Sequence, residues 1–404
     1  MLGLTSPRAL AAATGLVWIL LSVTSPVRAD ERILSTFDAS RVVYGPHGLE
    51  YKTDDGNTAL WLGGRLQFRY STLKGNPVEP GKLPQQDDEE AKLNRARIKF
   101  GGHAFTPRFV PYLEYDLVDD RLLDLWGLAR ARNWFRLRGG QWKTRYNRER
   151  IDSSGRQQLA DRSIANFWFT VDRQQGASVS GRLDPGGRAD SHYWVALLSG
   201  DGREGSLNAG DPMLVGRYQW NFLGRHPKFS QSDIARLQRP VGALTLAAVT
   251  ARTRFTRYSS AGGGQLPGFD AGVEDQYQLY QLMLETVYKH RGFSHQGELH
   301  FKQVDDRIDG TTRRLAGGYL QAGWFPSEKW SWVPAPFEVA GRLGLVDPDT
   351  SVSEDLQHEA TIGVNWFFNG HRNKLTADFG YILLDDPQLR HSETRLRLQW
   401  DVSF

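Results

Sequence analysis

Apolar and polar residues alternate with a period of two along most of this chain. In residues 394–404, TRLRLQWDVSF, Thr394, Leu396, Leu398, Trp400, Val402 and Phe404 share one parity, and Arg395, Arg397, Gln399, Asp401 and Ser403 share the other. A strand points successive side chains to opposite faces, so this segment has one apolar face and one charged face. The pattern recurs. In 59–72, Leu60, Leu62, Leu66, Phe68 and Tyr70 oppose Arg65, Gln67 and Arg69; in 93–105, Ala96, Ile98, Phe100 and Ala104 oppose Arg95, Arg97, Lys99 and His103. Similar segments include FSHQGELHFKQV, FEVAGRLGLV, EATIGVNWFF and KLTADFGYIL.

Sixteen such segments are predicted, beginning near residues 59, 92, 109, 122, 134, 174, 190, 213, 241, 275, 293, 314, 336, 357, 373 and 393. Most run ~10–14 residues, enough for a tilted membrane strand of ~9–11. In the strand from 241, Arg252 and Arg254 share the parity of Leu244 and Leu246, so it needs a bulge or an extension beyond the membrane. The connections alternate in length. One set is mostly short, at 106–108, 131–133, 184–189, 291–292 and 369–372, with longer exceptions at 224–240 and 326–335. The other set, at 73–91, 145–173, 200–212, 259–274, 305–313, 347–356 and 385–392, is rich in Gly, Asp and Pro. Short turns on one side, long loops on the other and an even strand count that leaves no open edge define an all-β, transmembrane antiparallel barrel. Tyr70, Trp142, Tyr288, Trp324, Trp366 and Trp400 lie near strand ends, where aromatic girdles form.

The N-terminus supplies a compartment. Arg8, an apolar run from Leu10 to Val23, and Val27-Arg28-Ala29 have the layout of a signal peptide cut after Ala29. Loss of Arg8 and Arg28 lowers the formal net charge from +4 to +2. Residues 30–58 read as a periplasmic lead-in and 59–404 as the barrel, placed in the outer membrane of a Gram-negative bacterium. The remaining chain has no run of ~18 apolar residues, so only a barrel could span a membrane. With no cysteine there is no disulfide framework or thiolate metal site. No cofactor or metal site is expected, and export makes nucleic acid an unsuitable partner for the basic residues.

Of the 50 basic residues, 39 are Arg. A sixteen-stranded barrel is wide enough for an aqueous channel. Its inward parity carries Arg65, Arg69, Arg95, Arg97, Lys99, Arg136, Arg138, Arg182, Arg217, Lys302, Arg342, Arg395 and Arg397, interspersed with Glu114, Asp116, Asp124, Glu298, Glu338, Glu359 and Asp378. Cations along a pore lower the barrier to anions. The plainer alternative is that Arg and acid pair across strands to fill the wall. Residues 130–162 are the densest, with nine Arg and Lys143. Resemblance to sixteen-stranded porins implies that the long loop after the fifth strand folds into the pore, crowding Arg145, Arg148, Arg150, Arg156 and Arg162 with Ser153 and Ser154 around a constriction. Guanidinium forks and hydroxyl donors suit a partly dehydrated oxyanion. A solvated basic loop touching lipopolysaccharide is the competing reading.

Residues 48–71, 94–117, 137–162, 317–325, 337–345, 361–370 and the last strand resemble, in order, the phosphate-selective porins O and P. The stretch 200–275 matches poorly. The resemblance implies a homotrimer of sixteen-stranded barrels, with an arginine ladder leading to a constriction for phosphate, polyphosphate or related anions. By local match the constriction comprises Arg150, Ser153, Ser154, Arg162, Arg95 and Asp124. Arg150 stands where Lys is usual, replacing a compact ammonium by a wide fork, and Asn94 where a second Arg can stand. The alternating last strand with terminal Phe404 resembles the C-terminal signal for outer-membrane insertion. Outer-membrane lipid and lipopolysaccharide are the expected surroundings. A general anion or small-solute porin is the nearest alternative. A barrel enzyme would need a nucleophile beside an oriented His, and the ten His residues are scattered.

Overall fold

A computed structural model describes residues 41–75, 88–203, 211–259, 262–384 and 391–404. The expected signal peptide lies outside these residues, as do parts of the loops expected at 73–91, 200–212, 259–274 and 385–392. A short hairpin comes first, β1 (Val42–Gly45) and β2 (Gly48–Lys52). Sixteen longer strands follow: β3 (Ala59–Gly75), β4 (Asp88–His103), β5 (Phe109–Asp116), β6 (Arg121–Arg132), β7 (Phe135–Lys143), β8 (Arg173–Leu183), β9 (Ser191–Leu198), β10 (Met213–Leu223), β11 (Val241–Thr253), β12 (Tyr277–His290), β13 (Phe293–Asp306), β14 (Thr312–Trp324), β15 (Phe337–Asp347), β16 (Gln357–Asn369), β17 (Asn373–Leu384) and β18 (His391–Ser403). Each of the sixteen pairs antiparallel with the next, and β18 pairs with β3 from Glu393↔Gly75 to Ser403↔Arg65, closing the ring. The first turn of β3 is taken by β2, through Leu49↔Leu62 to Lys52↔Ala59. Part of the expected lead-in is therefore a hairpin added to the sheet. The chain end is also tied in: Phe404 N donates to Gly64 O (3.0 Å) and Gly64 N donates to Phe404 O (2.7 Å).

Burial is inverted relative to a globular domain. Leu343 is 66% exposed and Leu320 61%, while Glu285 and Glu338 are fully buried. In β16 the odd-numbered residues from Gln357 to Phe367 are buried, and Ala360, Ile362, Val364, Trp366 and Phe368 are exposed. An apolar outer belt around a polar interior matches a bilayer, where every backbone polar group must be satisfied within the barrel wall. Among the described residues no helix is long and apolar enough to cross a membrane.

The local sequence explains the corners. The β12–β13 turn has two residues, Arg291 (φ 46°) and Gly292 (φ 75°), the pair of positive φ values that matches strand twist in a tight hairpin. The Arg252 conflict resolves as an extension. The β11–β12 register runs without a break to Thr253↔Tyr277, and Arg252 pairs with Asp211 (3.0 Å) beyond the belt. One girdle assignment is corrected. Trp142 shares the parity of Arg136 and Arg138, is only 3% exposed, and belongs to an interior apolar cluster.

Candidate functional site

The segment between β7 and β8, residues 144–172, contains two short helices, α1 (Arg148–Ile151) and α2 (Ile164–Phe169). Neither has a side-chain cap or the length to persist alone, so tertiary contacts must hold them. The contacts come from inward-facing side chains of many strands. Arg65 (β3) donates to Ser154 Oγ (2.8 Å). Arg148 Nε donates to Glu285 Oε1 on β12 (2.9 Å), and Glu149 N to Glu298 Oε1 on β13 (2.7 Å). Gln158 Nε2 donates to Glu338 Oε1 on β15 (2.8 Å), Ile164 N to Glu359 Oε2 on β16 (2.8 Å) and Ala160 N to Asp378 Oδ2 on β17 (2.7 Å). Buried carboxylates thus receive backbone N–H groups that short helices and turns leave unsatisfied. Ile164, Phe167, Trp168, Phe169 and Val171 add an apolar cluster with Leu198, Met213, Met283 and Val346. From the opposite end of the barrel, the β10–β11 connection reaches the same segment. Gln231 Oε1 accepts from Gln158 N (2.7 Å), and Lys228 O from Arg148 Nη1 (3.3 Å).

The residues proposed for the constriction form two groups. Arg95 and Arg162 line one cavity of about 230 Å3 with Arg69, Arg395, Arg397 and Asp161. Within it Arg69 and Arg397 each reach Asp161 (2.9 and 3.0 Å), and Arg395 pairs with Glu393. Arg95 donates to Gln67, and Arg162 donates to Glu149 O (2.9 Å) and Asp152 O (3.0 Å). Neither makes an ion pair among the described residues. Burial first, then neighbouring Arg150, disfavours the charged form of Arg162, and Glu149, Asp172 and Asp161 partly offset this. The second group is a chain of pairs. Arg150 Nη2 meets Asp172 Oδ1 (2.6 Å), Arg173 lies 3.8 Å from the same oxygen, and Arg173 Nε donates to Asp124 Oδ1 (2.7 Å). Burial would raise the Asp172 carboxyl, but Arg150 and Arg173 hold it below the usual range. Ser154 lies apart, on Arg65, and Ser153 precedes the short 3-10 turn at 154–156.

The other inward-facing cations divide by exposure. Arg65, Arg217 and Arg342 are almost wholly buried and paired, with Asp401 (2.7 Å), Glu285 (2.9 Å) and Glu359 (2.8 Å). Arg97 pairs with Glu114 and Asp116, and Arg397 with Asp378. Arg95, Arg97, Lys99, Arg136 and Arg138, along β4 and β7, are only half-buried.

Residues 144–172 also carry acids with displaced titration. Burial, reinforced by Glu298 and opposed by Arg342, raises Glu149 to about 7; its carboxylate accepts from Ser163 N and Oγ (2.7 Å each). Burial raises Asp152 to about 6, and neither of its carboxylate oxygens has a hydrogen-bond partner. Sequence inspection missed Glu285, because its parity on β12 is shared with Leu279, Met283 and Val287 and does not read as polar. It likewise missed Asp172 and Arg173, which only the fold brings to Arg150.

The sequence model of the phosphate-selective porins O and P matches residues 63–395. No curated protein matches the sequence. Among solved structures, the anion-selective porin from Comamonas acidovorans superposes with a TM-score of 0.55 at 12% identity, over 85% of this chain and 99% of that one. The outer-membrane channel DcaP of Acinetobacter baumannii gives 0.56 at 11% identity, over 88% and 99%. OmpT of Vibrio cholerae, an outer-membrane protein, gives 0.53 at 8% identity, over 86% and 97%. At these identities the likeness is one of fold. The match to the family model spans most of the barrel, from β3 into β18, and the chain belongs to the phosphate-selective porin O and P family of outer-membrane channels.

Proposed function

We propose that this porin passes anions by passive diffusion, and that residues 144–172 lie across the lumen and narrow it. A segment bonded at once to β3, β12, β13 and β17 can reach them only through the interior, which supports the constriction. One observation carries the anion reading: Arg95 and Arg162 line the same cavity beside Arg69, Arg395 and Arg397, and neither makes an ion pair among the described residues. Two guanidinium groups converging on one space offer an oxyanion their charge and the N–H donors that Gln67 and the Glu149 and Asp152 carbonyls leave free. Phosphate or polyphosphate is the preferred solute on this reading. The same reading has residues 1–29 removed on export, a Gram-negative outer membrane with its lipopolysaccharide as the setting, and a homotrimer as the assembly.

A second reading, a general anion porin without phosphate preference, draws on the second group. Arg150 and Asp124 are engaged by Asp172 and Arg173, which leaves fewer free donors for a multiply charged anion. The test is the zero-current potential of the purified protein in a planar bilayer under a KCl gradient, followed by phosphate titration. Anion selectivity with saturable phosphate block that weakens in Arg95→Gln and Arg162→Gln supports the first reading. Anion selectivity without block supports the second, and cation selectivity overturns both.

A further inference from the structure

A run of inward-facing rings lines one wall of the barrel, and the anion reading does not use it. Trp61 (β3) shares the parity of Arg65, Tyr112 (β5) that of Glu114, and Trp126 (β6) that of Asp124, so these rings face the interior and not lipid. Trp61 and Tyr112 lie 6.0 Å apart; Tyr112 and Trp126 stack at 5.0 Å and 19°. The guanidinium of Arg138 (β7) lies 4.4 Å from the centre of the Trp126 ring. Beyond it, Arg145 lies against an edge-on pair of rings, Trp194 of β9 (5.4 Å) and Phe229 of the β10–β11 connection (5.2 Å). Trp61, Tyr112, Trp126, Arg138, Arg145 and Trp194 are all half-buried, so each keeps surface open to the lumen.

The charge balance is uneven. Arg138 and Arg145 make no ion pair among the described residues, and Arg138 Nε is buried without an acceptor. The nearby acids are committed elsewhere. Glu114 takes Arg97 and the Tyr112 hydroxyl, and Asp124 takes Arg173. Burial, then Arg138, Arg217, Arg136 and Arg148, disfavours the charged form of Arg145. A guanidinium lying over a ring keeps its edge N–H groups free for a carboxylate. An inorganic anion would use those N–H groups and gain nothing from the indoles. An anion carrying a flat ring uses both, its carboxylate on the fork and its ring edge-to-face against the half-buried rings, because Tyr112 and Arg138 already pack on Trp126 and His192 stacks on Trp194.

We infer that the wall formed by β3, β5, β6, β7 and β9 is a slide for planar organic anions, of which aromatic carboxylates are the simplest class. The inference rests on the anion-channel reading and narrows its solute. The probes are sodium benzoate, acetate and phosphate, each titrated against the KCl current of the full-length protein in a planar bilayer. Benzoate is expected to halve the current at a concentration about tenfold below that of acetate, the scale of one or two ring contacts. The double variant Trp126→Ala/Trp194→Ala should bring that ratio to about twofold or less while keeping anion selectivity, and the double Phe variant should retain most of it. Equal block by benzoate and acetate in an anion-selective wild-type channel overturns the slide alone. A benzoate preference that survives both alanines also overturns it. A cation-selective wild-type channel overturns the anion reading beneath it.

Discussion

Glu285 is the residue through which the anchoring of residues 144–172 is best tested. Its carboxylate accepts from Arg148 N (3.1 Å) and Nε (2.9 Å), Arg217 Nη1 and Nη2 (2.9 Å each) and Thr245 Oγ1 (3.1 Å), and it is fully buried. Glu285→Gln keeps the shape but leaves two buried guanidinium groups without their anion. Breaking one side of a buried ion pair costs about 3–5 kcal/mol. The cost falls on the segment more than on the barrel, because the β11–β12 and β12–β13 ladders are backbone pairings that the substitution does not touch. At about 1.4 kcal/mol per tenfold, it raises the population of a displaced segment by about two to three and a half orders of magnitude. The expected result is a larger or multi-level single-channel current in KCl, with the heat-modifiable gel shift of a folded barrel unchanged. A folded Glu285→Gln barrel with wild-type conductance and noise would show that residues 144–172 do not limit the current.

Three further outcomes follow from the same geometry. Glu149 is raised from the ordinary 4.5 to about 7, so between those values the seated segment binds more protons than a released one, and its seating weakens as pH rises from 4.5 to about 7. Current fluctuations should therefore increase from about pH 5 to about pH 7 and level off above it, and Glu149→Gln should flatten the change; an opposite slope contradicts the assignment. Gly140 has φ +125°, and an added Cβ would lie 2.2 Å from Leu125 O, so Gly140→Ala should cost at least ~2 kcal/mol of barrel stability in urea unfolding from micelles. Leu343→Arg, on a side chain 66% exposed, should cost ~2–4 kcal/mol and reduce insertion into vesicles, whereas the same change on a water-facing surface would be nearly neutral.

Much of the barrel was legible because its signals are local. A lipid-facing strand needs an apolar residue at every second position whatever its neighbours are, so the alternation through Leu396, Leu398 and Trp400 declares a strand without knowledge of its partner. All sixteen predicted starts lie within four residues of the observed strands, from Ala59 to His391. Among the residues proposed for the constriction, charge type was legible and pairing was not. Arg95 and Arg162 could be proposed from local matches, yet nothing near Arg150 in sequence announces that it is held by Asp172, or that Arg173 links Asp172 to Asp124.

By itself, then, the sequence determined the class of fold, the number of strands, the face each presents and a cation-rich segment after the fifth. Tertiary structure decided which of those cations stay available. Arg65 meets Asp401 from 336 positions away and Arg148 meets Glu285 from 137, distances over which no periodicity carries information. Those partnerships depend on ring closure and on where residues 144–172 make contact. Each is a balance of desolvation against a specific counter-charge, which only the assembled barrel supplies.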